Sequence, residues 1–212
     1  MIDRAPVVIL SAVEGTVDEA VSRRLIEHVD ATPGTVYGKN GKAQLRRVID
    51  GYNMAARRSP WLVIVDLNSD AECAPPMSRQ WLHKPAPRMC FRIAAREIEA
   101  WLLADREALA GFLKLPRSRL PANPEGVANP KRLVVDLARR SPKHAVREDM
   151  VPRRGSGREV GPAYASRLIE FVQRSWRPAV AAQHANSLSR CIECLRDLAR
   201  GGASQRPSVG SD

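Results

Sequence analysis

The stretch "WLVIVDL" at residues 61–67 constrains the fold more than any other part of the chain. Five consecutive apolar residues without polar alternation suit a strand covered on both faces, as in the interior of a parallel sheet. "PVVILSAV" and "MCFRIAA" repeat that character, and "GTVYG" offers a shorter strand between them. The intervening segments change period. In "TVDEAVSRRLIEHV" the residues Val17, Val21, Leu25, Ile26 and Val29 share a helical face, with Thr16 and Asp18 as cap candidates. "GKAQLRRVIDGYNMAARR" reads as a second helix and "APPMSRQWLHK" as a third, opened by proline. Strand and helix alternating over residues 5–103 predict an α/β, Rossmann-like, mostly parallel sheet flanked by helices.

From "EIEAWLLADREALAGFLKL" onward the pattern is helical, interrupted by "LPRSRLPANPEGVANP", whose four prolines mark a loop, and "KRLVVDLARRS" reads as a short helix. "VREDMVPRRGSGREVGP" is polar and reads as flexible, while "AYASRLIEFVQRSW" and "NSLSRCIECLRDLARG" are amphipathic. The expected organisation is an α/β core over 1–104, a helical C-terminal extension over 105–200 packed on it, and a disordered tail over 201–212.

No apolar run approaches the roughly 20 residues needed to span a bilayer, so no membrane role is expected. "MIDRAPVVILSAVEG" has no basic leader, which points to the cytoplasm rather than secretion. Four cysteines are too few for a disulfide framework, and Cys191 and Cys194, although spaced C-x-x-C, fall on a helical pattern. All four are expected to be packed thiols. The net charge of +11 is uneven: residues 1–104 carry 14 Lys and Arg against 12 Asp and Glu, residues 105–212 carry 20 against 11. A basic second half favours a polyanionic partner, above all DNA or RNA.

Ligands of open parallel sheets gather beyond the carboxyl ends of the strands, and the acidic residues of the first half fall there. Glu14 follows the first strand, Asp66 closes the third with Asn68 and Asp70 just after it, and Glu97 and Glu99 follow the fourth. Hard oxygen ligands from separate strand ends suit Mg²⁺ or Mn²⁺. Glu97 and Glu99, two apart, face the same way only if the chain there is extended; on a helix they diverge by about 200°, and one of them is then expected to be structural. "DLNSD" is not a calcium loop, because Ala71 and Met77 stand where that loop needs glycine and a bidentate glutamate. "VYGKNGKAQL" is not a P-loop, although Lys39 and Lys42 sit before a helix start, where backbone phosphates could be met. Lys131, Arg147, Arg153 and Arg154 are further candidates for phosphate contact. His28, His83, His144 and His184 have no metal-like spacing, and Trp61, Trp81, Trp101 and Trp176 fall in apolar patterns.

Glu14-Gly15 after strand one and Asp66-x-Asn68 after strand three resemble the signature of the toprim fold found in topoisomerases, primases and overcoming-lysogenization-defect nucleases. "VEGTVDEA", "VDLNSD", "EIEAWLLADREAL" and "SLSRCIECL" are more closely similar to the small bacterial toprim-like proteins of the domain of unknown function 4276 family. The resemblance covers most of the chain and implies a metal-dependent phosphodiester site. Glu14, Asp66 and Asp70 would bind Mg²⁺ or Mn²⁺, and Glu97 or Glu99 would complete a second position. It also implies an anti-phage setting with an ATPase partner, and a homodimer is carried as a further expectation. Asn68 departs from the pattern, since it replaces the second aspartate of D-x-D with a neutral ligand. The alternative is therefore a catalytically degenerate scaffold that binds nucleic acid or a partner protein.

Overall fold

The computed structural model describes residues 6–68 and 74–201. Four strands, β1 (Val8–Val13), β2 (Thr32–Gly38), β3 (Trp61–Asp66) and β4 (Met89–Ala94), form one sheet in the order β2-β1-β3-β4. Every pairing is parallel, with Ser11 opposite Val36 on one side and Leu62 on the other, and Ile64 opposite Arg92. The α/β, Rossmann-like expectation is met.

Strand parity sorts the side chains into two cores. Ile9, Val13, Leu62, Ile64, Cys90 and Ala94 face one way, into a large cluster shared with α1 (Thr16–His28). Ala12, Trp61, Val63, Val65, Phe91 and Ile93 face the other way. There they meet Leu45 and Ile49 of α2 (Lys42–Ala55) and Met77 and Trp81 of α3 (Ala74–Trp81). Coverage on both faces explains why β3 carries an unbroken apolar run.

The C-terminal helices continue the first of these cores. They are α4 (Ile98–Ala104), α5 (Arg106–Leu113), α6 (Pro130–Arg139), α7 (His144–Met150), α8 (Tyr164–Arg174), α9 (Pro178–Ala181) and α10 (Asn186–Ala199). Trp101, Leu137, Leu168, Phe171, Trp176 and Leu195 are buried in the same cluster as Val21 and Leu25 of α1. The four tryptophans are all buried, as their apolar settings predict.

Three local readings are corrected. The segment expected to be helical from residue 97 forms two helices, α4 and α5, divided at Asp105. Its buried carboxylate caps α5 by accepting Ala108 N–H at 3.2 Å and holds the Arg177 guanidinium at 2.7 and 2.9 Å. "VREDM", expected to be flexible, belongs to α7, because Val146 and Met150, one turn apart, bury a common face. The proline-rich loop contains two short 3₁₀ turns, Arg117–Arg119 and Pro124–Gly126.

The cysteine expectation also changes. Cys90 of β4 and Cys194 of α10 form a disulfide with Cα atoms 6.0 Å apart, although 104 residues separate them in sequence. Packing of α10 on β4 creates a proximity that no spacing rule could register. Cys191 stays a buried free thiol, its pKa pushed up to about 12 by desolvation. Among the described residues no helix is long and apolar enough to cross a membrane. Asp70, Cys73 and residues 202–212 of the tail expected over 201–212 lie outside the described residues.

Candidate active site

The chain leaves β1 toward β2 on one side and reaches β3 on the other, so the outlets of β1 and β3 flank the point where strand order reverses. Glu14 and Asp66 stand at those outlets. Glu14 Oε1 accepts the backbone N–H of Asp66 at 2.8 Å, joining the two strand ends through a side chain. Asp66 has the parity of Leu62 and Ile64, which face α1, and is 8% exposed. It lines a cleft of about 320 Å³ together with Gly15, Asp18, Glu99, Lys131 and Tyr164.

The first turn of α1 supplies Asp18, 7% exposed. The helix cap is Gly15, which makes no side-chain cap bond, so the sequence reading of Thr16 and Asp18 as caps gives way to a cleft-lining role for Asp18. Gly15 has extended backbone with φ −145°, which any residue adopts. A Cβ there would sit 3.1 Å from Asp18 Oδ2, so the missing side chain makes room for a carboxylate.

Glu97 and Glu99 both turn toward Lys131, and they do so because Glu97 lies outside the helix. Glu97 caps α4 in extended conformation while Glu99 occupies its first turn, so of the two arrangements open to the pair the divergent, all-helical one does not arise. Glu97 Oε2 accepts Lys131 N–H at 2.8 Å, satisfying a free donor in the first turn of α6, and its Oε1 lies 3.5 Å from Lys131 Nζ. Glu97 is thus the structural member of the pair. Glu99 is 2% exposed; its Oε1 accepts the Tyr164 hydroxyl at 3.2 Å and lies 4.0 Å from Lys131 Nζ.

Burial leaves these carboxylates short of partners. Asp18 Oδ1, Asp66 Oδ1 and Glu99 Oε2 are buried without a hydrogen bond among the described residues. Desolvation raises the Asp66 pKa well above the usual carboxylate range, helped by Asp18, Glu14 and Glu99 and opposed by Lys131. Desolvation also raises Asp18, against its local backbone N–H groups and Lys131. Glu99 is lifted to about 7 by burial, with Lys131 pulling downward and Glu97 upward. Burial works against the charge of Lys131, yet Glu99, Glu97 and Asp66 hold its ammonium above the ordinary lysine value.

The other candidates are distributed around this cleft. Asn68 follows β3 in left-handed conformation, φ 51°, and donates its backbone N–H to the Arg96 carbonyl at 2.6 Å. Asparagine tolerates that conformation better than most residues, which gives Asn68 a backbone reason to be there. Lys42 Nζ donates to the Asp66 carbonyl and, at 3.4 Å, to that of Leu67, so it secures the β3 outlet. Lys39 pairs with Glu19 at 3.0 Å. Arg147 donates to the Ser141 carbonyl at 2.5 Å, bracing the turn between α6 and α7. Arg153 and Arg154 are exposed in the connection after α7, the same connection whose Glu159 and Val160 reach the cleft.

Asp18 and Tyr164 were missed as site residues. Asp18 does fall within the first turn after the strand-one Glu-Gly, a place where an acid can reach a strand outlet. Nothing in "AYASRLIEFVQRSW" marks Tyr164, because its partner Glu99 is 65 residues away.

Asp66, Asp18 and Glu99, from β3, α1 and α4, each bring an unpartnered buried oxygen to one cleft, and carboxylate oxygens are the donor type that divalent cations take. Among the described residues no group of three or more acidic, thiol or imidazole side chains is placed so that it could hold a metal ion as it stands. Comparison with protein-family models, curated proteins and solved structures finds no match to this chain.

Proposed function

We propose that the cleft at the β1/β3 outlets belongs to a divalent-cation-dependent, toprim-like nuclease or nuclease-like effector that hydrolyses phosphodiesters of DNA or RNA. The observation carrying this reading is the set of buried, unpartnered oxygens of Asp18, Asp66 and Glu99 in one cleft at the strand-order reversal. Those three residues, with Glu14 beside them, would hold Mg²⁺ or Mn²⁺. Bound there, such an ion supplies Lewis-acid charge against the phosphoryl group.

The chain's own groups supply the rest. Glu14 keeps Asp66 at the cleft by holding its backbone. Tyr164 fixes the rotamer of Glu99 through the hydroxyl bond. With its pKa near 7 in the cation-free cleft, Glu99 would give up its proton as an ion binds. Lys131, with its side chain about one-third exposed, offers positive charge to a phosphate entering the cleft mouth. The exposed Arg153 and Arg154 add charge along the adjoining connection. The ATPase partner and the anti-phage setting rest on the family resemblance alone, and the homodimer is a separate expectation.

The test is cleavage of plasmid and single-stranded DNA and RNA with Mg²⁺ or Mn²⁺, beside Glu14→Ala and Asp66→Ala. Activity is expected to be lost in Asp66→Ala and reduced in Glu14→Ala. Undiminished cleavage in both would overturn the assignment.

The ion pairs of Lys131 with Glu97 and Glu99 favour a second reading, a degenerate scaffold whose acidic cleft is neutralised by its own lysine. Calorimetry separates the two: Mn²⁺ binding supports the hydrolase, and a flat titration supports the scaffold.

A further inference from the structure

A second feature lies on the opposite face of the sheet. Tyr37 of β2, Tyr52 of α2 and Trp61 of β3 form a contiguous aromatic cluster, in which Tyr52 stacks on Trp61 and Tyr37 is tilted against both. Ring centroids are 4.9 Å apart for Tyr52 and Trp61, 5.3 Å for Tyr37 and Trp61, and 6.0 Å for the two tyrosines. Trp61 forms its buried base at 4% exposure, Tyr52 is half-buried, and Tyr37 is the outermost ring at 41%. Tyr37, Val8 and Met54 are the exposed large hydrophobic residues among those described. The fold explains why this strip is open. Leu45 and Ile49 of α2 pack against residues of β1 and β3, while β2 is an edge strand.

The charge around the strip is one-sided. Helix α2 and the turn that leaves it carry Lys42, Arg46, Arg47, Arg57 and Arg58 against the single acid Asp50, and the four arginines are exposed. Tyr37 lies two residues before Lys39, at the end of β2 that points toward the strand outlets. Gly38 makes the turn there: its φ is +86°, and a Cβ would come within 2.4 Å of the Val13 carbonyl oxygen. An exposed ring backed by further rings, on a sheet face whose covering helix and following turn carry exposed arginines, has the physical elements for holding an unpaired base, although Arg46 itself lies over Trp81 and Lys39 pairs with Glu19. In a duplex the base faces are already stacked and unreachable.

From this juxtaposition we infer that Tyr37, backed by Trp61 and Tyr52, is a stacking platform for single-stranded nucleic acid. The inference deepens the nucleic-acid reading above by naming its strandedness, but it can stand or fall separately, because it concerns binding on the other face of the sheet.

The experiment measures fluorescence anisotropy of a labelled oligothymidylate of about 15 nucleotides and of a matched duplex. It is done in EDTA at low and moderate salt, with wild type, Tyr37→Ala and Tyr37→Phe. Tyr37→Ala is expected to weaken single-strand binding at least about fivefold, the loss associated with one stacked base. Duplex binding should be unchanged, and Tyr37→Phe should restore the single-strand affinity. Because binding is read in EDTA, without cleavage, a failed cleavage assay leaves this result readable. Equal weakening for both substrates, or none, would overturn the platform. So would a Tyr37→Ala variant that binds normally but sediments as a monomer where wild type is a dimer, since the strip would then be a contact between copies. A thermal melt within a few degrees of wild type verifies that the exposed substitution leaves the fold intact.

Discussion

Glu14 Oε1 and the backbone N–H of Asp66, 2.8 Å apart, join two strand ends that are 52 residues apart in the chain. The same carboxylate contributes to raising the Asp66 pKa, so one residue both places its neighbour and makes that neighbour harder to ionise. Glu14→Gln keeps an oxygen acceptor and removes the charge, whereas Glu14→Ala removes both. Urea melts are expected to show Glu14→Ala destabilised by about 1–3 kcal/mol and Glu14→Gln by less, because a part-buried N–H loses its partner only in the first. Equal losses would show that the hydrogen bond is not what the glutamate contributes.

Glu99 sets a pH dependence with a definite sign. Its pKa is about 7 in the folded chain against an ordinary 4.5. Between those values the folded state therefore binds more protons than the unfolded one, and stability falls as pH rises, the loss being complete above about pH 7. The gap corresponds to at most about 3 kcal/mol. Asp66 and Asp18, also raised, act in the same direction. Stability of the cation-free protein, followed by urea melts from pH 4.5 to 8, should decline more in wild type than in Glu99→Gln. A profile unchanged by that substitution would refute the protonated, buried state of Glu99.

Cation binding should reverse that decline. A divalent ion must displace protons from Asp18, Asp66 and Glu99, so calorimetry in buffers of different ionisation enthalpy should register proton release, and affinity for Mn²⁺ should increase from pH 6 to 8. Saturation at about 100 times Kd adds about 2.7 kcal/mol of stability. Asp66→Asn should abolish the stabilisation. If Mn²⁺ raises the melting temperature of wild type and Asp66→Asn equally, the ion is bound elsewhere.

Lys131→Met removes the cation that faces Glu97 and Glu99. Because its side chain is about one-third exposed, solvent screens part of the pair, and a loss of about 1–3 kcal/mol at pH 8 is expected, shrinking toward pH 5 as Glu99 gains its proton. Added Mn²⁺ should recover more stability in this variant than in wild type, since it then supplies the missing positive charge. A pH-independent loss would assign Lys131 a packing role only.

Period and composition were enough to establish the alternation of strands and helices, the parallel sheet, the buried tryptophans and the gathering of acids at strand outlets. Each of these follows from local chemistry: an unbroken apolar run needs cover on both faces, and a period near 3.6 needs a helix. Glu14, Asp66 and Glu99 were legible for that reason, as residues interrupting or following apolar runs. Tertiary structure decided which side chains meet. Parity of β3 turns Asp66 toward α1, the extended cap conformation of Glu97 lets it reach Lys131 beside Glu99, and α8 delivers Tyr164 to Glu99. The Cys90–Cys194 pairing, the break at Asp105 and the helix at His144–Met150 have the same origin. All depend on contacts between residues distant in sequence, or on burial that exists only once the helices have packed, and a local pattern carries no term for either.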